Sequence, residues 1–204
     1  MNNRLIFATG NEDKMKEIRS ILADLNIEIL SLKDAEIDMD IVEDGTTFEE
    51  NAIIKAKKIM ELTGDIVLAD DSGLEVDYLN KAPGIYSARW EGVNTSYDIK
   101  NKLLIERLKG VPDEKRTARF VCAIAAAFPN GDIITKRGTI EGRINYEQKG
   151  NNGFGYDPIF YVPEYGCTTA ELAPDLKNQI SHRGKALKAI LEELRSGIYG
   201  GKEK

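Results

Sequence analysis

The chain opens on an apolar run, Leu5-Ile6-Phe7-Ala8, which reads as a buried strand. Thr9-Gly10-Asn11 breaks it, and from Glu12 the pattern turns helical, with Met15, Ile18, Leu22 and Leu25 on one face. Ile27–Leu30 is the next predicted strand. Thr47-Phe48-Glu49-Glu50 has the form of a capping box, a threonine followed three positions later by a glutamate. Phe48, Ala52, Ala56, Ile59 and Met60 then form a helical stripe that Gly64 ends. Ile66–Ala69 reads as a strand stopping at Asp70-Asp71-Ser72-Gly73, with Leu74, Val76 and Tyr78 in an extended continuation and a turn at Pro83-Gly84.

Further on, Thr95 or Ser96 can cap a helix whose apolar positions are Ile99, Leu103, Leu104 and Leu108. Arg119–Phe128 is apolar at both strand parities, as in a covered central strand. Pro129-Asn130-Gly131-Asp132 predicts a hairpin turn into Ile133–Thr139. Asn151–Tyr156 is a glycine-rich loop ahead of Asp157-Pro158 and a strand at Ile159–Val162. Ser181 can cap a last helix carrying Leu187, Ile190, Leu191 and Leu194, and the tail after Ser196 is expected to fray. Strands interleaved with helices, plus a central hairpin, predict an α/β fold with a long mixed sheet. No repeat or low-complexity linker divides the chain, so residues 1–204 are expected to form one domain.

Composition narrows the function. Apolar residues at 42% suffice for a core, and a net charge of -6 without a basic stripe disfavours nucleic-acid polymers as partners. No apolar run approaches the roughly 20 residues of a membrane span. Cys122 and Cys167 are far apart and no leader-like segment precedes the first strand, so a reduced, cytoplasmic chain is expected.

Five segments can carry chemistry. Thr9-Gly10-Asn11-Glu12-Asp13-Lys14 places a glycine turn at a helix start, where backbone N–H groups attract anions and Lys14 can reach a phosphate. Asn11 can cap that helix or contact the ligand; the loop lacks the spacing of a Walker A loop, and an ordinary capped helix would look the same. Asp70 and Asp71 are adjacent carboxylates that need a cation, hydrogen bonds or a proton to sit together. Magnesium would meet that need and clamp triphosphate oxygens, whereas a solvated acidic turn is the plainer alternative. On an extended strand the two would face opposite sides. Glu43 lies in an acidic stretch, Asp38–Asp44, of the kind that is usually a solvated loop. In Asn152–Pro158 the glycines permit close approach to a flat ligand, Phe154 or Tyr156 can stack on a base, and Asp157 can accept from its edge. Lys177, His182 and Arg183 supply donors near the last helix, though a lone histidine is more often structural. Lys55, a turn beyond Asn51, could equally be a surface lysine.

The order of these motifs is more specific than any one of them. TGNxxK, TFxEN, ADDSG, PGIYSAR, GFGYDPIF and SHR, running from about Leu5 to about Leu194, resemble the inosine triphosphate pyrophosphatase family, also called XTP/dITP diphosphatases. The resemblance implies a two-lobed, elongated α/β fold with a nucleotide cleft between the lobes, a homodimer and a requirement for magnesium, with manganese as a substitute. It implies hydrolysis of ITP, dITP and XTP to the monophosphate and pyrophosphate. Carried onto these residues, Thr9, Gly10, Asn11, Glu12, Asp13 and Lys14 match the triphosphate loop, and Asp71 matches the catalytic, metal-holding acid. Asp70 and Glu43 match further metal-associated carboxylates. Lys55 matches a phosphate-side lysine and Ser72 a substrate contact. Phe154, Gly155, Tyr156, Asp157, Lys177, His182 and Arg183 match the base-recognition set. A binding module without catalysis, or a pyrophosphatase of other nucleotides, would share many of these features.

Overall fold

The computed structural model describes residues 4–23 and 28–197, with side chains described as far as residue 194. Leu25, Ile27 and the expected fraying after Ser196 lie outside the described residues, apart from the helical backbone at 196–197. Among the described residues, seven strands form one sheet in the order β2-β1-β3-β4-β5-β6-β7, flanked by five helices. Strand β1 (Arg4–Phe7) pairs in parallel with β2 (Glu28–Ser31) and with β3 (Val67–Val76). After β4 (Thr117–Ala127) and β5 (Ile133–Ile144), β6 (Phe160–Val162) pairs antiparallel with β5 and with β7 (Cys167–Thr168). The sheet is therefore mixed, as the interleaved pattern predicts.

The chain divides into two compact units, one of residues 1–71, 122–138 and 182–204, the other of residues 72–121 and 139–181. The division falls inside β3, β4 and β5. The first unit has its own apolar core, in which Phe7, Leu68 and Ile124 meet Met15 and Ile18 of α1 (Glu12–Ile21) and Leu187 and Ile190 of α5 (His182–Gly197). In the second, Leu74, Phe120 and Phe160 gather with Leu104 of α3 (Tyr97–Arg107). No helix among the described residues is long and apolar enough to cross a membrane.

Local signals account for several helix ends. Asn11 caps α1 by accepting from the backbone N–H groups of Asp13 and Lys14 at 3.0 and 3.1 Å. Thr47 caps α2 (Phe48–Thr63) through Glu50 N–H, and Gly64 closes it with a left-handed φ of 68°. The Glu50 carboxylate closes on the residue before the cap, accepting from the N–H and hydroxyl of Thr46 at 2.6 and 2.8 Å. Ser96, not Thr95, caps α3. The start of α5 lies so close to β5 that a Cβ on Gly138 would fall 2.2 Å from the His182 carbonyl oxygen.

Two expectations fail. First, β3 does not stop before Asp70; it runs unbroken through Asp70-Asp71-Ser72-Gly73 to Val76. Acidic residues can occupy a buried strand when cations meet them, and both aspartates here are buried opposite lysine or arginine. Second, α3 leaves Ile99 and Leu103 49% and 39% exposed and buries Lys100 and Asn101. Lys100 donates to Ala88 O at 2.6 Å, and Asn101 to Gly155 O at 3.1 Å and Gln148 Oε1 at 3.0 Å. Polar side chains that donate to these oxygens set the buried face there, one position away from the apolar stripe. The short helix α4 (Pro174–Ile180) and strand β7 were not anticipated from the pattern.

Candidate functional site

In the first unit, β3 turns Asp70 and Asp71 to opposite faces. Asp70, with no exposed side-chain surface, meets Lys14 of α1 at 3.0 Å and Arg183 of α5 at 3.4 Å. Arg183 also donates to Glu17, which lies one turn beyond Lys14 on α1. The Cys122 sulfur lies 4.0 Å from Asp70, and burial beside that carboxylate pushes its thiol up to about 12, so it stays protonated. Burial alone would raise the Asp70 carboxyl, but Lys14, Arg183 and Lys55 override it and hold the group well below the ordinary carboxylate range.

Asp71 faces α2. Asn51 donates to its Oδ2 at 3.0 Å, and the Lys55 ammonium lies 3.7 Å from its Oδ1. Lys55 also donates to Glu43 Oε2 at 2.8 Å, which brings the acidic stretch 38–44 to the same place. Burial raises Asp71 above its ordinary value, and Lys55 and Asn51 only partly offset that. Burial would lower Lys55, but Asp71, Asp70 and Glu43 together raise it. Asp70, Asp71, Glu43, Lys14, Lys55 and Arg183 thus form one electrostatic cluster.

The Thr9–Lys14 loop contributes unevenly. The Lys14 side chain joins the cluster, whereas Glu12 and Asp13 are exposed and pair with Lys33 at 3.5 Å and Lys16 at 3.1 Å. The helix-start N–H groups of Asp13 and Lys14, expected to serve an anion, are taken by the Asn11 cap, and Thr9 Oγ1 accepts from Asn11 N–H. Gly10 needs no left-handed backbone, and a Cβ there would meet nothing within 4 Å. Neither conformation nor packing within the chain calls for a glycine, which leaves clearance beside the loop as its distinguishing property.

Among the described residues no three His, Cys, Asp or Glu side chains gather as a metal cage. The donor chemistry still suits a hard divalent ion. Glu43 and Asp71 offer carboxylate oxygens on either side of Lys55, and burial holds Asp71 above its ordinary value. Magnesium commonly takes one or two carboxylates and completes its shell with water and substrate phosphates.

In the second unit, Asp157 is 3% exposed and anchors a compact polar knot. Its Oδ2 accepts from Lys177 Nζ at 2.5 Å and Phe154 N–H at 2.8 Å, and its Oδ1 from the Thr169 hydroxyl at 2.8 Å. Gly153, at φ 73°, sits where a Cβ would fall 2.1 Å from Asp157 Oδ2. The Asp157 carboxylate, read from the sequence as an acceptor for a base, is engaged in holding its own loop. Tyr156 is likewise a strut, donating its hydroxyl to Ser87 O at 2.9 Å and meeting Tyr97 edge-on. Half-buried Phe154, with Lys177 Nζ 5.3 Å from its ring centre and Gly155 beside it, keeps a surface suited to stacking. Ser72 follows Asp71 on β3 and is half-buried, and His182 is buried at the first position of α5.

Asn51 and Glu17 are site residues that the sequence reading passed over. Asn51 had a signal: it and Lys55 fall on the same helical spacing as Phe48, Ala52 and Ile59, so both are polar residues at core-facing positions.

Comparison with known proteins agrees with the motif order. The model of the Ham1 family matches residues 5–193. A protein of Clostridium perfringens named dITP/XTP pyrophosphatase is 50% identical over 198 residues, 94% of this chain and 97% of its own length. One of the same name from Desulforamulus reducens is 51% identical over 191 residues, 94% and 95%. Among solved structures, a HAM1 protein from Coxiella burnetii superposes with a TM-score of 0.86 at 42% identity, covering 95% of this chain and 99% of its own. A structure titled nucleoside-triphosphatase / dITP/XTP pyrophosphatase from Mycobacterium abscessus gives 0.75 at 41% identity, covering 92% and 98%. Motifs, fold and near full-length similarity together make this chain a member of the Ham1 family.

Proposed function

We propose that this protein is a nucleoside triphosphate pyrophosphatase that hydrolyses ITP, dITP and XTP to the monophosphate and pyrophosphate. The observation that carries the reading is Asp71, a buried carboxylate raised above its ordinary value within reach of two lysines. A base works best when its pKa approaches the working pH, so burial suits Asp71 to take a proton from water as that water attacks the α-phosphorus. Lys14 and Lys55 offset triphosphate charge and stabilise the departing pyrophosphate. An ammonium has three donors, so Lys14 can keep its bond to Asp70 and still offer others. Asp70 and Glu17 keep Lys14 and Arg183 in place as counter-ions.

Glu43 and Asp71 are the residues that would hold a divalent ion, magnesium or its substitute manganese. When bound, that ion supplies neutralising charge to phosphate oxygens and acidifies water. On the base side, Phe154 offers a stacking face. Lys177, beside Phe154 in the second unit, is a candidate donor to the 6-oxo group that inosine and xanthine carry and adenine lacks. The reading includes a homodimer acting in the cytoplasm, where it would clear non-canonical nucleotides, and sedimentation of the purified protein tests the dimer.

The deciding experiment is release of pyrophosphate and orthophosphate from ITP, XTP, dITP, ATP, GTP and CTP with and without magnesium. Magnesium-dependent pyrophosphate from the first three supports the reading. Orthophosphate instead would move the cleaved bond and overturn the mechanism, and no release from any nucleotide would make the protein a binding module.

A further inference from the structure

Helix α2 buries two polar side chains on its inner face, and the carboxylates around Lys55 account for only one of them. The other, Asn51, is uncharged and 1% exposed. Its amide is divided between two elements: Oδ1 accepts from Gly45 N–H at 2.9 Å, and Nδ2 donates to Asp71 Oδ2 at 3.0 Å. Turning the amide over would set its NH2 against a backbone N–H and its oxygen against a carboxylate, losing both bonds. The partners therefore dictate a single orientation.

Two consequences follow from that orientation. Asp71 Oδ2 is committed to the amide, which fixes the rotation of the carboxylate and presents Oδ1 on the side of Lys55. Gly45 is two residues from Glu43, so the same amide ties the acidic segment to the strand that carries Asp71. The fit around Gly45 is close, because a Cβ there would lie 2.7 Å from Asn51 Oδ1 and 2.7 Å from Glu50 Cβ.

We propose that Asn51 is a positioning residue: one buried amide, held by Gly45, sets the orientation of the Asp71 carboxylate and keeps the Glu43 segment in register with it. This rests on the reading of Asp71 as the base. Asn51 serves the reaction through Asp71, so its loss should appear in kcat rather than in substrate affinity. A misplacement of about 1 Å at a reacting group can cost roughly a hundredfold in rate.

The test is steady-state hydrolysis of ITP with magnesium by Asn51→Ala, Asn51→Asp, Gly45→Ala, the Gly45→Ala/Asn51→Ala double variant and Asp71→Asn. Rates are taken per folded molecule, with folding followed by thermal melting. Asn51→Asp keeps an acceptor for Gly45 and replaces the donor to Asp71, so it separates the two halves of the amide. The expected result is a kcat lower by about a hundredfold in Asn51→Ala and Asn51→Asp, with KM within about threefold. Gly45→Ala should lower kcat by pressing on the amide, and in the Asn51→Ala background, where only its contacts with Glu50 and the backbone remain, it should lower kcat less. A wild-type kcat in folded Asn51→Ala, with Asp71→Asn inactive, overturns the role of Asn51 and leaves Asp71 standing. Wild-type turnover in Asp71→Asn sinks the reading of the base and this inference with it. If Asn51→Ala does not fold, Asn51→Asp decides: a lowered kcat at unchanged KM supports the proposal, and a wild-type kcat refutes it.

Discussion

Asp71 in the first unit and Asp157 in the second are both buried carboxylates beside a lysine, yet their surroundings differ in kind. Asp157 receives a lysine at 2.5 Å, a backbone N–H and a hydroxyl, and these donors come from its own loop and the segments packed on it. Asp71 has its lysine at 3.7 Å, an amide on one oxygen, and a raised pKa caused first by burial. A carboxylate so fully engaged as Asp157 maintains a shape. One that burial raises can take a proton or a cation, and carboxylates perturbed in this way gather at catalytic centres.

The largest test of that contrast is Asp71→Asn. Turnover of ITP should fall about 10²–10⁴-fold, the range for loss of a general base, as read by pyrophosphate release. Its melting temperature at neutral pH should rise. The folded pKa of Asp71 lies above the unfolded one, so the folded state binds the proton more tightly and ionisation costs stability as pH increases through the raised value. Activity should show a matching acid limb, displaced upward from the ordinary aspartate value.

Asp157→Ala attacks the other side of the comparison. It leaves the Lys177 ammonium buried without its carboxylate, at a cost of about 3–5 kcal/mol, measurable by denaturant unfolding. Asp70→Asn should destabilise at neutral pH by about 1–3 kcal/mol, opposite in sign to Asp71→Asn. The folded pKa of Asp70 is depressed, so its contribution is present above the unfolded value of about 4 and lost as pH falls toward the folded one. Equal melting shifts in the two neighbours would contradict the difference between them. Smallest is Lys109→Gln, which removes an exposed pair with Glu106 and should change stability by no more than about 0.5 kcal/mol, with turnover unaltered.

Much of the fold was legible in the sequence because strand parity, helical spacing and capping residues are local. The Asn11 and Thr47 caps, the Gly64 stop and the apolar face of α5 were read from adjacent positions. What was missed depends on partners distant in the chain. Arg183 meets Asp70 across 113 positions, and Asn101 meets Gly155 across 54. A polar residue at a core spacing reads as exposed until its partner is known, which is why Lys100 and Asn101 displaced Ile99 and Leu103 from the buried face of α3. Motif order brought Asp71, Lys14 and Lys55 into the candidate set, but which side chains Asp157 and Asn51 bind could be read only from the structure.

The unbroken run of β3 also makes the assignment of tasks between Asp70 and Asp71 a matter of odd and even. The register of β3 against β1, Ile6 opposite Val67 and Phe7 opposite Leu68, decides which aspartate turns toward α1 and α5 and which toward α2. Deleting Ala69 would shift that parity by one and carry Asp71 to the face of Lys14 and Arg183, with every side chain of the cluster still present. The chemistry is therefore encoded in counting as much as in composition, and an insertion or deletion here should disable the protein more thoroughly than many single substitutions.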